Sequence, residues 1–138
     1  MTEVIAEIGV NWDGNFELAK KIMINAKNAG CSAVKFQSFS FDQIKEHPEK
    51  DRLISSSISN KNIERINEIS KEVGIEWFCT PMYEDAVELL IPYVNRFKIR
   101  ESDGQNIVKG NESSILSKLL QTDKQIIISS QEDHSNSK

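Results

Sequence analysis

The chain has 138 residues, 38% hydrophobic and 28% charged, which suits one modest globular domain and excludes a disordered segment. Its formal net charge of -4 comes without a dense basic block, which argues against a general nucleic-acid binder, and no apolar run approaches the roughly 20 residues that span a bilayer. The N-terminus has no basic-then-apolar leader, and Cys31 and Cys79 fit no metal or redox spacing, so two buried thiols and a cytoplasmic location are expected.

The stretch VIAEIGVNWDG, from Val4 to Gly14, opens as a buried strand that carries Glu7 in its middle. A buried carboxylate is costly unless it is paired or hydrogen-bonded. Strict alternation puts Ile5, Glu7, Gly9 and Asn11 on one face and Val4, Ala6, Ile8 and Val10 on the other. A turn follows, and Trp12 within it can line a site mouth or pack on the next helix. That helix, FELAKKIMINAKNAG, has Leu18, Ile22, Ala26 and Ala29 as its stripe, widened by Ala19 and Met23. Asn15 caps its start and Gly30 ends it.

CSAVKFQSF reads as the second strand, with Val34 and Phe36 on one face and Lys35 and Gln37 on the other. Residues 38–59 keep no period and are expected to run over the C-terminal ends of the strands, with a short helix near Lys50 to Ile54. A second long helix, Asn60 to Val73, shows Ile63, Ile66, Ile69 and Val73 on one side and stops at Gly74. IEWFCT is strand three, and Thr80-Pro81 reads as a helix cap followed by a first-turn proline. The helix after it runs to about Val94 on Ala86, Val87, Leu90 and Ile91, with Pro92 disturbing its last turn. RFKIR, Arg96 to Arg100, is strand four, ESDGQN a turn, Glu112 to Gln121 a helix, and QIIISS strand five with Ile127 and Ser129 on one face.

Strands joined by helical crossovers are parallel. The fold class is therefore α/β, a partial (β/α)8 TIM barrel of about five parallel strands and four helices. An open doubly wound sheet is the competing architecture, weakened by the absence of a GxGxxG or P-loop after strand one. Residues 1–130 form the barrel part and 131–138 a polar tail. Polar groups recur at strand C-terminal ends, where barrel sites are built: Glu7 and Asn11, Lys35 and Gln37, Thr80, Lys98 and Ser129.

A lysine pointing into a barrel must be paired or must hold an anion. Three readings stay open on spacing alone. Lys35 and Lys98, with the Thr80 and Ser129 hydroxyls, can bind a phosphate or carboxylate. The same lysines can form an internal salt-bridge lattice with Glu7 and Glu101. Lys98 can also act as a Schiff-base lysine. His47 and His134 are expected in solvent, and neither pairs with a second histidine at ligand spacing.

In order and spacing, IAEIGVNWDG, AVKFQSF, IEWFCTP, FKI and IIISS resemble the N-terminal barrel of the N-acetylneuraminate (sialic acid) synthase family, over nearly the whole chain up to Ser130. The resemblance implies a condensation of phosphoenolpyruvate with an N-acylmannosamine-type sugar, giving a nonulosonic acid and phosphate. It implies Glu7, Lys35 and Lys98 as catalytic residues and Asn11, Gln37, Thr80, Ser102 and Ser129 as substrate-binding ones. A divalent metal, manganese or magnesium, is implied as well, with ligands on later strands that this chain does not contain. Expected partners are the two substrates and a homo-oligomeric or complementing half-barrel copy, with neither nucleic acid nor membrane. The chain departs from the family where Trp12 and Asp13 replace His-Asn, where Glu101 replaces a serine, and where Gln131-Glu132 replaces a glycine. These departures motivate the alternative, a non-catalytic half-barrel for binding or assembly.

Overall fold

The computed structural model of the chain describes residues 1–104 and 113–130. Five strands, β1 (Ile5–Gly9), β2 (Ala33–Ser38), β3 (Glu76–Pro81), β4 (Arg96–Ile99) and β5 (Gln125–Ile128), form one sheet in sequence order. Every neighbouring pair is parallel, as helical crossovers require. The crossovers carry α1 (Phe16–Asn28), α4 (Ile63–Val73), α5 (Glu84–Leu90) and α7 (Ser114–Leu120). Three shorter helices, α2 (Phe41–Ile44), α3 (Lys50–Ser56) and α6 (Glu101–Gly104), belong to the connections at the C-terminal ends of β2 and β4. The short helix expected near Lys50 is α3; α2 and α6 lie in segments whose patterning predicts only loop and turn.

The crossover helices bury narrow apolar stripes against the sheet. In α1 the buried residues are Ala19, Met23 and Ala26, so the stripe is centred one residue away from the Leu18–Ile22 line. Small alanines there let the helix approach β2 closely. The Asn15 side chain accepts the Leu18 N–H at 3.0 Å, and Gly30 turns the chain at φ +91°. In α4 Ile63, Ile66 and Ile69 are buried, and Gly74 closes the helix in the left-handed conformation at φ 77°. Each fully buried isoleucine contributes roughly 1.5–3 kcal/mol of transfer free energy. Lys20 and Arg65 both pair with Glu72 at 3.0 Å, tying α1 to α4 on the outer surface.

Two sequence expectations are corrected in this layer. Thr80 and Pro81 close β3 instead of opening a helix; α5 begins only at Glu84, after Tyr83 in extended conformation. Proline is tolerated there because it is the last residue of the strand. Ile91 lies beyond α5 and is exposed, leaving Ala86, Val87 and Leu90 as the buried set. Cys79 is fully buried, whereas Cys31 is only partly so. The expected helix start at Glu112 and the polar tail 131–138 lie outside the described residues.

The opposite face of the sheet is not apolar. Near its N-terminal end Arg96 of β4 pairs with Glu3 at 2.5 Å and with Glu76 at 2.8 Å, and its guanidinium stacks over the Phe78 ring at 4.8 Å. Glu3 precedes β1, three strands away, so this contact reaches across the concave face of a rolled sheet. The hydrogen bonds that Arg96 donates to Glu3 hold its pKa above the usual value, and burial opposes them. This ion triad is the floor on which the site stands.

The turn between β1 and α1 is fixed from behind. Trp12 is 0% exposed, packs edge-on against Phe36, and its Nε1–H donates to the Ser56 carbonyl at 2.9 Å. It is a core residue and does not line the mouth. Gly14, at φ +71°, lies so close to Ser55 that a Cβ would stand 2.6 Å from its carbonyl oxygen. Gly14→Ala is expected to lower unfolding free energy by at least about 1 kcal/mol, through both strain and the clash with α3. An unchanged urea midpoint for this variant would show that the turn does not depend on that approach.

Candidate functional site

Parallel register brings the polar residues of neighbouring strands to one level. Glu7 lies opposite Lys35, and Gln37 opposite Thr80. The Lys35 ammonium reaches the Glu7 carboxylate at 2.5 Å and donates to the Thr80 hydroxyl at 3.0 Å. The Lys35 side chain is 12% exposed and that of Glu7 51%, so the pair has a buried cation and an accessible anion. Thr80 is buried, which leaves its hydroxyl little freedom beyond this cluster.

Lys98 is arranged differently. Its ammonium donates to the Ile99 carbonyl at 2.8 Å and to the Ser129 hydroxyl, both neutral acceptors. No carboxylate lies within ion-pair distance of it among the described residues. Burial, and then repulsion from the Lys35 ammonium, hold its pKa below the usual lysine value; attraction to Glu7 works the other way. Of the lattice, Glu7 neutralises Lys35, and among the described residues Lys98 has no ion-pair partner. Behind the sheet, burial pushes the Cys79 thiol far above its usual pKa, so it offers no thiolate nucleophile.

Of the residues singled out in the sequence, Glu7, Lys35, Thr80, Lys98 and Ser129 come together. Gln37 joins them through Gly9. A Cβ on Gly9 would stand 3.0 Å from a Glu7 oxygen and 3.6 Å from the Gln37 side-chain nitrogen. Gly9 has φ +54° and pairs with Phe36, so the register slips between Glu7 and Gly9. The slip breaks the alternation predicted for this strand. Val10 leaves the apolar back face and lines a pocket together with Gln37. Asn11 is exposed in the turn, where its N–H bonds the Ile8 carbonyl at 2.9 Å. Ser102 is exposed on α6 and makes no hydrogen bond to the lysine cluster among the described residues.

Sequence reasoning also missed Arg100 and the residues that close the mouth. The chain between α3 and α4 returns to β2, with the Ile58 N–H on the Gln37 carbonyl at 2.9 Å and the Ser38 hydroxyl on the Ile58 carbonyl at 2.6 Å. A Ser-Ile run without periodicity offers no signal for such a contact. The signal for Gly9 was present, since a glycine inside a strand pattern marks a bulge or a close approach. Among the described residues no three His, Cys, Asp or Glu side chains converge as a metal ion requires. The ligands of the divalent cation implied by the resemblance would lie on later strands, and the described residues supply none.

The arrangement has the anatomy of a barrel site at strand C-terminal ends. The description "NeuB family" matches residues 22–133. The chain belongs to the NeuB family. The N,N'-diacetyllegionaminic acid synthase of Legionella pneumophila is 31% identical over 121 residues, covering 75% of this chain and 34% of the relative. The Campylobacter jejuni protein of the same name is 28% identical, covering 93% of this chain and 42% of the relative. A crystal structure of N-acetylneuraminic acid (sialic acid) synthetase from Leptospira borgpetersenii, in complex with citrate, is similar with a TM-score of 0.77 at 26% identity. It is matched over 96% of this chain and 46% of its own. A truncated 3-deoxy-D-arabino-heptulosonate 7-phosphate synthase from Thermotoga maritima shares the fold, with a TM-score of 0.64 at 15% identity. The chain spans less than half the length of each of these relatives. Its strands and their order are those of the first part of a sialic acid synthetase-like TIM barrel, and no described helix is long and apolar enough to cross a membrane.

Removing Lys35 takes away a repelling cation and leaves Glu7 without a partner, and both changes favour charged Lys98. In a titration followed by NMR of 13Cε-labelled lysines, the Lys98 midpoint is expected below that of free lysine and should rise in Lys35→Met. A midpoint that stays put or falls in the variant contradicts the electrostatic coupling of the two side chains.

Proposed function

We propose that this NeuB-family chain binds phosphoenolpyruvate on its cationic strand ends, as the first part of a sialic acid synthase-type condensation site. The observation that carries the reading is Lys98, a partly buried ammonium whose partners are neutral oxygens, beside the Lys35–Thr80 contact. A small dianion would supply the missing negative charge. In this reading Lys35, Thr80, Lys98 and Ser129 hold the phosphate and carboxylate oxygens. Hydrogen bonds of this kind to charged groups are worth about 1.5–3 kcal/mol each.

The chemistry joins two carbon skeletons. Carbon 3 of phosphoenolpyruvate attacks the open-chain aldehyde of an N-acylmannosamine-type sugar, water adds at carbon 2, and phosphate leaves. Developing charge on the departing phosphate is met by the two ammonium groups, fixed by the sheet before the substrate arrives. Glu7 stands beside them with its carboxylate accessible, in place to exchange a proton with the aldehyde oxygen or the attacking water. Gln37 faces the sugar across Gly9. The manganese or magnesium ion that such a synthase would use finds no ligand set among the described residues.

Residues 1–130 are taken as the N-terminal part of this barrel and 131–138 as its polar tail. Among the described residues β1 pairs only with β2 and β5 only with β4. These edges are the places where a second copy or a complementing half-barrel would complete the site. A second reading keeps binding without catalysis. It is favoured by Trp12, which stands where the resemblance leads one to expect a histidine and is wholly buried.

Isothermal titration of the folded chain with phosphoenolpyruvate is expected to give saturable binding, weakened at least about tenfold in Lys98→Ala. No binding by the wild type sinks the proposal. Phosphate release on adding N-acetylmannosamine supports the condensation; binding without release supports the second reading.

A further inference from the structure

The cationic cluster is divided between two parts of the sheet. Glu7, Lys35 and Thr80 belong to β1, β2 and β3, whereas Lys98 lies on β4 and Ser129 just beyond β5. Each part is bonded within itself, Lys35 to Glu7 and Thr80, and Lys98 to Ser129. Strands β2 and β3 stay in register from Ala33–Glu76 to Ser38–Pro81, and β4 and β5 from Arg96–Gln125 to Ile99–Ile128. Strands β3 and β4 register only at Cys79–Phe97. The seam between them runs through the candidate site, and how far it opens sets the distance from Lys98 to Lys35.

Two arginines cross that seam on the polar face. At its upper end Arg100 gives Nε–H to Asp103 at 2.7 Å, and its Nη2 reaches the Met82 carbonyl at 3.5 Å, a long and single link. At the lower end Arg96 is held on every edge. Its Nε donates to Glu76 of β3 at 2.8 Å, and Nη1 and Nη2 donate to the two oxygens of Glu3 at 3.0 and 2.5 Å. The Phe78 ring, also on β3, supports the guanidinium. In a flat sheet β1 and β4 would run roughly 14 Å apart, three ladder spacings. The contact with Glu3 therefore requires a rolled sheet, and its two parallel bonds fix the angle as well as the distance. Level with Glu76, β2 presents only the methyl of Ala33, too short to stand between Arg96 and Glu3. A buried ion pair is often no more stabilising than apolar side chains of the same volume. What the directed fork supplies is geometry.

We infer that Arg96 is a positioning residue: its fork on Glu3, braced by Glu76, locks the β3–β4 seam and sets the approach of Lys98 to the Glu7–Lys35 pair. The inference rests on the reading of Lys35 and Lys98 as two sides of one anion site. Arg96 acts through these lysines, which must both reach the same dianion before it arrives. Opening the seam leaves the Lys35–Thr80 and Lys98–Ser129 contacts intact, because each lies within one part of the sheet. It moves the two lysines away from each other.

The test uses the whole chain with Glu3→Ala, which leaves Arg96 its Glu76 partner, and with Arg96→Met as a second variant. In each background the Lys98 midpoint is read by NMR of 13Cε-labelled lysines, with and without Lys35→Met. The shift that Lys35→Met produces measures the electrostatic contact of the two lysines, and a uniform change of field cancels from it. That shift is expected to fall to about half or less in both variants. Phosphoenolpyruvate affinity, measured by calorimetry, should weaken at least about fivefold. No coupling in the wild type, or undiminished coupling in either folded variant, overturns the clamp, even where the melting temperature falls. Diminished coupling with wild-type affinity for phosphoenolpyruvate overturns its positioning role. A wild type that does not bind phosphoenolpyruvate removes the anion site, while coupling halved by Glu3→Ala still upholds the clamp.

Discussion

An ammonium group held partly out of water with no counter-ion among the described residues is the constraint around which this mouth is built. Lys98 donates to a backbone carbonyl and a serine hydroxyl, while the Glu7 carboxylate belongs in register to Lys35. Neutral oxygens offset part of the desolvation cost but not the charge. In the proposed reading the remaining imbalance is what draws an anion, because the ligand would relieve a cost the folded chain already bears.

The rest of the sheet keeps that imbalance in place. Below it, Arg96 is fully matched by Glu3 and Glu76, so the floor carries a cation that asks for nothing further. Behind it, Trp12, Phe36, Trp77 and Phe97 form a dry wall from which water cannot reach the strand backbones. Two layers of lysine and arginine two residues apart on β4 thus serve opposite purposes. The lower one is structural and the upper one is open to a ligand.

Much of this was legible in the residues. Alternation along β2 and β4, together with parallel pairing, was enough to place Lys35 and Lys98 on one face, and the Glu7, Thr80 and Ser129 positions followed. Alternation failed where the register slipped. At Gly9 one residue is inserted against Phe36, and that single slip sends Val10 to the pocket and leaves Asn11 in solvent. Thr80-Pro81 was misread because the local preference of proline for a first helical turn yielded to pairing with Gln37 and Ser38. Arg100 was invisible as a pocket residue, because its role depends on Asp103 and on Met82 from the neighbouring strand end. Such partners follow from tertiary packing and from no periodic pattern.

If Lys98 waits for a negative ligand, binding must raise its pKa and draw a proton from solution. Calorimetric titration with phosphoenolpyruvate, at the pH of the Lys98 midpoint in the free protein and in buffers of different ionisation enthalpy, measures that uptake directly. The account predicts net proton uptake by the wild type and its loss in Lys98→Met. Binding with no proton exchange, or with the same uptake in both proteins, contradicts it.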